Sequence, residues 1–523
     1  MHTHPSFLQT HTTLKLSLIG YFSGALSILG LAPFHYPIMF LLGFSIVLYL
    51  LECSRTKKQL FLTGWSYGFG YFTCGLYWIA NALYIDIAKW WWLLPFALIG
   101  LPFVLSFFYG FAGLAVYRFK HNALSLAIAA AISFSIFEFL RGHLFTGFPW
   151  NLSAYIWMDT PISQSLSWLG AYGLSFITFL IAGLFYALKN IKKQKASQIL
   201  FMLCIVIFSV SFALGKYIES TPAISQDRAT RIMVVQPNIA QKDKWQQDKQ
   251  EENLETLISL SKPDQGHSDD QDPDLIIWPE TAITYEKDDI KTHLSSKLKE
   301  ILAPGQVLIS GVLDVEHSST DPTQSRFYNA LIVTDASGEV LSQYNKHHLV
   351  PFGEYVPFRN ILSFGPIAQA LSTTGDFSAG DGLKTIHTFH TSFSPLICYE
   401  VIFPRKSIAA NGTRPQFLLN ITNDAWYGDS TGPHQHLAIS RARAIETGLP
   451  VVRVAGTGIS AMINSNGQVL HDIALNTAGS FTADLPQPKA QTIYTTYKEW
   501  PFFIIMGIFM AFLLIIRRSR GKN

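Results

Sequence analysis

The chain has 523 residues, 49% of them hydrophobic, 14% aromatic and only 14% charged, whereas a soluble domain carries about 25% charged residues. Much of it is therefore expected in lipid. Its formal charge of +3 sits on lysines and arginines gathered in a few short loops, with no basic block interleaved with aromatics, so nucleic acid is not an expected partner.

Apolar runs of about 20 residues are long enough to cross a bilayer as helices. Eight such candidates lie near Leu14 to Pro33, Pro37 to Leu51, Leu60 to Leu83, Trp90 to Tyr117, Ala123 to Leu140, Leu166 to Leu188, Ile199 to Leu214 and Trp500 to Ile516. The second is short enough to be re-entrant or buried instead. The first has Lys15 ahead of it and the small residues Gly30 and Ala32 near its end, in the manner of a cleaved signal peptide. More apolar spans follow at once, so it reads as a retained anchor.

The basic loops SRTKK, YRFKH, KNIKKQK and RRSRGK follow alternate spans, and such loops stay preferentially cytoplasmic. Both termini are then expected inside, and the long segment from Lys216 to Glu499 outside. The loop Arg141 to Gln164, containing GHLFTGFPWNLSAY, falls on the same outer face. Trp150 in it reads either as an interfacial anchor or as part of a lipid-binding surface.

From about Arg231 to Pro486 the pattern changes to short β-rich runs, among them TRIMVVQP, PDLIIWPE, GQVLISGVLDV, SPLICYE and QFLLNITND. NALIVTDASGEVLSQYN and ISAMINSNGQVLHDI place Gly-containing turns between apolar strands and predict hairpins. Helices are predicted around Asn253 to Leu260, Thr292 to Leu302 and His436 to Thr447, and the polar stretch Ser261 to Asp274 reads as a surface loop. The expected division is a membrane bundle over residues 1–217 with about seven helices, an extracytoplasmic α/β domain over 218–497, and a single helix with a basic tail over 498–523.

Of the four cysteines, Cys53, Cys74 and Cys204 lie in or beside apolar segments, and Cys398 stands alone in the polar region, which therefore has no internal disulfide. Glu280, Lys346 and Cys398 each follow an apolar strand. Singly, each reads as a rim or core residue. Together they supply what a thiol nucleophile requires: a carboxylate to take the proton, and a cation to favour the thiolate and hold an oxyanion. His347, His348, His434 and His436 have no carboxylate or cysteine at zinc-like spacing, so no metal site is expected, and GTGIS at Gly456 is too short to suggest a nucleotide.

WPETA around Glu280, YNKHHLVPFGEYVPF around Lys346 and ICYEVIFP around Cys398 resemble the nitrilase, or carbon-nitrogen hydrolase, superfamily with its Glu-Lys-Cys triad. The resemblance is closer to its membrane branch, the apolipoprotein N-acyltransferases, and includes GFPWN near Trp150 and NDAWYG near Trp426. It implies an αββα-sandwich domain attached to a polytopic α-helical membrane bundle in a bacterial inner membrane, with the catalytic domain in the periplasm. It further implies a ping-pong reaction with a glycerophospholipid as acyl donor and the α-amine of a diacylglyceryl apolipoprotein as acceptor. Glu280 would act as base, Cys398 as nucleophile and Lys346 on the oxyanion, with no cofactor. Glu354 would be a second active-site acid, Tyr399 and Glu400 would shape the pocket, and Trp245 would match a position that contacts substrate.

The apolar residues Phe358, Ile361, Leu362, Phe364, Ile367 and Leu371 recur at near-helical spacing; they suit core packing or a lid over the acyl chain. Two other readings compete with acyl transfer. A membrane-tethered amidase would show the same triad but needs one helix rather than eight. The other is a non-enzymatic scaffold or a transporter; few ionisable residues lie deep in the spans, with Glu138 near a helix end the main exception, which argues against an ion or proton path.

Overall fold

The computed structural model describes residues 12–187, 195–221, 229–262, 272–317, 325–357 and 376–520. The apolar stripe from Phe358 to Leu371, and most of the loop after Ser261, lie outside them. Two compact units emerge: Met1–Thr221 with Ser430–Ala438 and Gln491–Asn523, and Pro222–Asp429 with Ile439–Ala490.

The first unit is helical: α1 (Thr13–Ser27), α2 (Pro37–Cys53), α3 (Lys57–Leu76), α4 (Leu101–Ala115), α5 (Ala123–His143), α6 (Leu166–Ala187), α7 (Lys195–Ser220) and, from the C-terminal segment, Trp500–Arg520. Start signals are local. Pro37 opens α2, Thr56 and Gln59 form a capping box on α3, and the Asn122 side chain accepts from the Ser125 N–H at the head of α5. Among the described residues, five helical stretches are long and apolar enough to cross a membrane, Thr13–Gly30, Ile87–Arg118, Ala123–His143, Pro161–Ala187 and Trp500–Arg518, and Pro37–Cys53 is a shorter apolar helix.

The third expected span forms α3 but is not among the five, because it is rich in small and polar residues such as Thr63, Gly64, Ser66, Gly68 and Gly70, all on or beside its buried face. That composition lets backbones meet, as it does in membrane bundles generally. A Cβ on Gly24 of α1 would overlap the Tyr67 carbonyl oxygen, and one on Gly70 that of Tyr21.

The second unit is a pair of packed sheets. Its strands are β1 (Arg231–Gln236), β2 (Leu275–Ile277), β3 (Ile283–Glu286), β4 (Val307–Glu316), β5 (Arg326–Thr334), β6 (Val340–Asn345), β7 (Ile386–His387), β8 (Ser392–Ile397), β9 (Phe417–Thr422), β10 (Val451–Ala455), β11 (Ser460–Ile463), β12 (Val469–Ile473) and β13 (Gly479–Asp484). One sheet runs β13-β1-β2-β4-β5-β6, with β3 beside β4, and the other runs β12-β11-β10-β9-β8-β7. Strands β1, β2 and β4 pair in parallel, as do β8, β9 and β10. The two expected hairpins are the antiparallel pairs β5/β6 and β11/β12.

Strand alternation builds the layers. Ile232 and Val234 of β1 join Ile277, Ile397, Leu419 and Val452 in the core between the sheets, while Met233 and Val235 turn to the other face and meet Leu257, Leu294 and Leu298. These last belong to α8 (Gln250–Leu260) and α9 (Ile290–Ile301). On the second sheet Arg453 points away from the core and donates to Ser440 Oγ, on α10 (Thr431–Thr447). Each fully buried aliphatic side chain contributes about 1.5–3 kcal/mol, so the strand ends that carry the site stand on a rigid floor.

Candidate active site

Glu280 lies just past β2, Lys346 directly after β6 and Cys398 directly after β8. All three are buried, at 6%, 1% and 5% exposure. Lys346 Nζ sits 2.8 Å from Glu354 Oε1 and 3.8 Å from Glu280 Oε1. The Asn329 side-chain amide donates to both carboxylates, at 2.7 Å to Glu280 and 3.0 Å to Glu354. Glu354 is held in turn by the Val350 N–H at 2.8 Å.

The second oxygen of Glu280, Oε2, is buried and has no hydrogen-bond partner among the described residues. An ionised carboxylate normally satisfies both oxygens when buried, so this lone pair is available to an incoming proton.

Cys398 begins a 3-10 turn, Cys398–Ile402, and has φ 51°. A side chain at positive φ is uncommon and costs backbone strain. The turn is held by Glu400, whose Oε2 accepts from the Ile397 N–H at 2.7 Å. Glu400 Oε1 accepts from the Tyr344 hydroxyl at 2.8 Å and from the His347 and His348 N–H groups at 2.9 and 3.1 Å. One buried carboxylate thus ties the cysteine turn to the segment that carries Lys346.

Burial pushes the Cys398 thiol up to about 12, the Glu280 charge adds to this, Lys346 opposes it, and Asp424 adds again while the Thr422 hydroxyl lowers it. The resting group is therefore a protonated thiol at neutral pH, with Thr422, whose hydroxyl donates to Asp424 Oδ1 at 2.9 Å, and Tyr427 close enough to act on it. Burial works against the charge on Lys346, but Glu354 and then Glu280 and Cys398 outweigh it and hold the ammonium well above its ordinary value. Burial also pushes the Glu400 carboxyl up, against the N–H and hydroxyl donors aimed at it.

The structure brings Glu280, Lys346, Cys398, Glu354 and Glu400 into one site, and places Tyr399 beside it, buried, with its ring 5.2 Å from that of Phe403. Trp245 is 47% exposed and follows Lys244, whose Nζ donates to the Glu280 carbonyl. Trp150 belongs to the helical unit and is buried, its indole N–H donating to Gln435 Oε1 at 2.9 Å and its ring 4.7 Å from that of Trp78. The loop around it is fixed by Arg141, which donates to the Phe148 carbonyl at 2.6 Å, and by Glu138, which accepts from the Ser153 N–H at 3.2 Å and the Tyr109 hydroxyl at 2.8 Å.

Asn329, Thr422 and Tyr427 are site residues that sequence reasoning missed. Asn329 carried a signal, a lone amide in the apolar strand YNALIV. Glu400→Gln tests the tie between the two segments. It turns an acceptor into an NH2 group facing an N–H, and a buried unmet donor costs about 1–3 kcal/mol. A lower melting temperature and acylation slowed by about tenfold or more are expected, the latter from the misplacement of reacting groups.

Residues 231–494 match the family described as carbon-nitrogen hydrolase, and residues 23–184 the apolipoprotein N-acyltransferase N-terminal domain. The chain is 34% identical to the apolipoprotein N-acyltransferase of Rhodopseudomonas palustris over 97% of its own length and 96% of the relative's. It is 36% identical to that of Rickettsia prowazekii over 96% and 98%, and 33% identical to that of Rhizobium rhizogenes over 96% of each. With both halves matched and the relatives aligned almost end to end, the chain belongs to the apolipoprotein N-acyltransferase family.

Proposed function

We propose that the protein transfers a fatty acyl chain from a glycerophospholipid to the α-amino group of the N-terminal S-diacylglyceryl cysteine of apolipoproteins. The observation that carries the chemistry is the buried group of Cys398, Glu280 and Lys346, with an unpartnered Glu280 oxygen beside a protonated thiol. Membership of the family and the long apolar helices support the lipid and lipoprotein substrates.

In the first half-reaction Glu280 takes the thiol proton as Sγ attacks the ester carbonyl. Lys346 balances the oxyanion. The ester C–O bond then breaks, and the proton passes from Glu280 to the departing lysophospholipid oxygen. In the second, the acceptor amine attacks the thioester, the C–S bond breaks, and a proton from nitrogen returns by way of Glu280 to sulfur. A thioester becomes an amide, which is downhill and calls for no further energy source. The basic loops support an orientation with both termini in the cytoplasm and the catalytic unit on the outer face of the inner membrane.

A tethered amidase is the weaker reading, since the family resemblance extends through the helical unit. The test is intact mass spectrometry of the detergent-purified protein after incubation with phospholipid and no acceptor. A gain of one acyl chain, removed by hydroxylamine and transferred on addition of a diacylglyceryl peptide, is expected. A folded protein that gains no mass yet hydrolyses small amides would overturn the reading.

A further inference from the structure

Lys244 ends a short helical turn, Gln241–Lys244, between β1 and α8. In the run QKDKW it has the look of a solvated lysine, and lysines are almost never fully buried without a partner. Here the side chain is 8% exposed and its Nζ donates to the main-chain carbonyl of Glu280 at 2.9 Å. That carbonyl belongs to a constrained stretch: Thr281 has φ 47°, the Gly311 N–H donates to the Pro279 carbonyl at 3.1 Å, and a Cβ on Gly311 would overlap the Thr281 nitrogen. The Glu280 backbone is thus held from β4 on one side and by Lys244 on the other.

The charge count around the thiol gives this contact a second meaning. Glu280 and Glu354 share the single ammonium of Lys346. Asp424, which also raises the thiol, is already paired with the buried Arg453. When Glu280 takes the thiol proton, the negative charge moves from its carboxylate to Cys398, and Lys244 lies close enough for its charge to interact with both Glu280 and Cys398.

We infer that Lys244 is a positioning and charge-balancing residue of the transfer reaction, fixing Glu280 through its carbonyl and supplying the second cation that Cys398 needs when it becomes a thiolate. This rests on the roles proposed above for Glu280 and Cys398. Burial pushes the Lys244 ammonium down to about 8, with Glu280 and Cys398 pulling it back. Its charge is therefore present at neutral pH and is lost as the pH rises through about 8. The titratable groups acting on the thiol are Glu280, Lys346, Asp424 and Tyr427, and those acting on Lys244 are Glu280 and Cys398.

The experiment uses the full-length protein in detergent, comparing wild type, Lys244→Met, Lys244→Arg and Cys398→Ala. The readouts are acyl-enzyme formation from dioleoyl phosphatidylethanolamine at pH 7, iodoacetamide labelling of Cys398 from pH 6 to 9 resolved by peptide mass, and the melting temperature. Lys244→Met is expected to slow acylation and labelling at pH 7 by about tenfold or more, the scale of one unit charge acting at short range in protein. It should also move labelling to higher pH, and Lys244→Arg should recover most of the loss. Arginine keeps its charge throughout this range, so labelling of Lys244→Arg should go on rising above pH 8 where wild type flattens. Should Lys244→Met fail to fold, that comparison decides alone. Wild-type rates and pH profile in Lys244→Met, or coincident profiles for wild type and Lys244→Arg through pH 9, would overturn the inference. An acyl adduct that survives in Cys398→Ala would instead overturn the triad reading on which it rests.

Discussion

Cys398→Ala is expected to leave a folded protein that takes up no acyl chain at all. Removing a base or an oxyanion partner slows a reaction, because the remaining groups still act. Removing the nucleophile leaves no atom to carry the acyl group. The side chain is small and 5% exposed, so its loss opens only a methyl-sized cavity with a modest cost in stability. Serine should not rescue: a site that pushes a thiol up to about 12 disfavours an alkoxide far more, given the higher intrinsic pKa of a hydroxyl. Intact mass after phospholipid incubation, alongside the melting temperature, checks both variants. An adduct of one acyl chain on Cys398→Ala would exclude the residue as nucleophile.

The second large effect is expected at Lys346. Methionine in its place fills the volume of the stem but removes the ammonium that stands 2.8 Å from Glu354 and 3.8 Å from Glu280. Asn329 still holds the two carboxylates together. Breaking a buried ion pair from one side costs about 3–5 kcal/mol, and the acylation rate should fall by about 100-fold or more with the loss of the oxyanion partner.

The pH dependence gives a signature that simple misfolding would not. Loss of a neighbouring cation favours the protonated form of a carboxyl and of a thiol alike. Lys346 opposes the upward push on the Cys398 thiol, so without it the thiol gives up its proton only at higher pH and the rate profile moves upward. Pairing Lys346→Met with Glu354→Gln should restore much of the melting temperature while leaving the rate low. A rate profile unmoved in Lys346→Met would mean that Lys346 and Cys398 are not electrostatically linked.

The sheets were legible in the sequence because their strands alternate or run apolar between turn residues, as in NALIVTDASGEVLSQYN. The candidate triad was legible because each member stands at a strand end inside a long motif. What escaped was whatever depends on the fold bringing distant groups together. Glu400 could be placed beside the nucleophile, but not its donors, since three of them are backbone N–H groups from two separate segments. Lys244 sits among surface-like charges and is buried only because its turn folds against the end of β2. Cys398 gives no sign in its residue type of a positive φ. α3 was legible as an apolar run, although the small residues that seal its helix contacts lower the apolarity that marks a span.

The Glu400 carboxylate also bears on how the enzyme fails. Because a single side chain latches the Cys398 turn and the strand end that carries Lys346, neither comes loose while the other stays in place. Heat or denaturant should disarm the thiol and release the lysine in one step, so a trapped acyl-enzyme would protect both segments from proteolysis together.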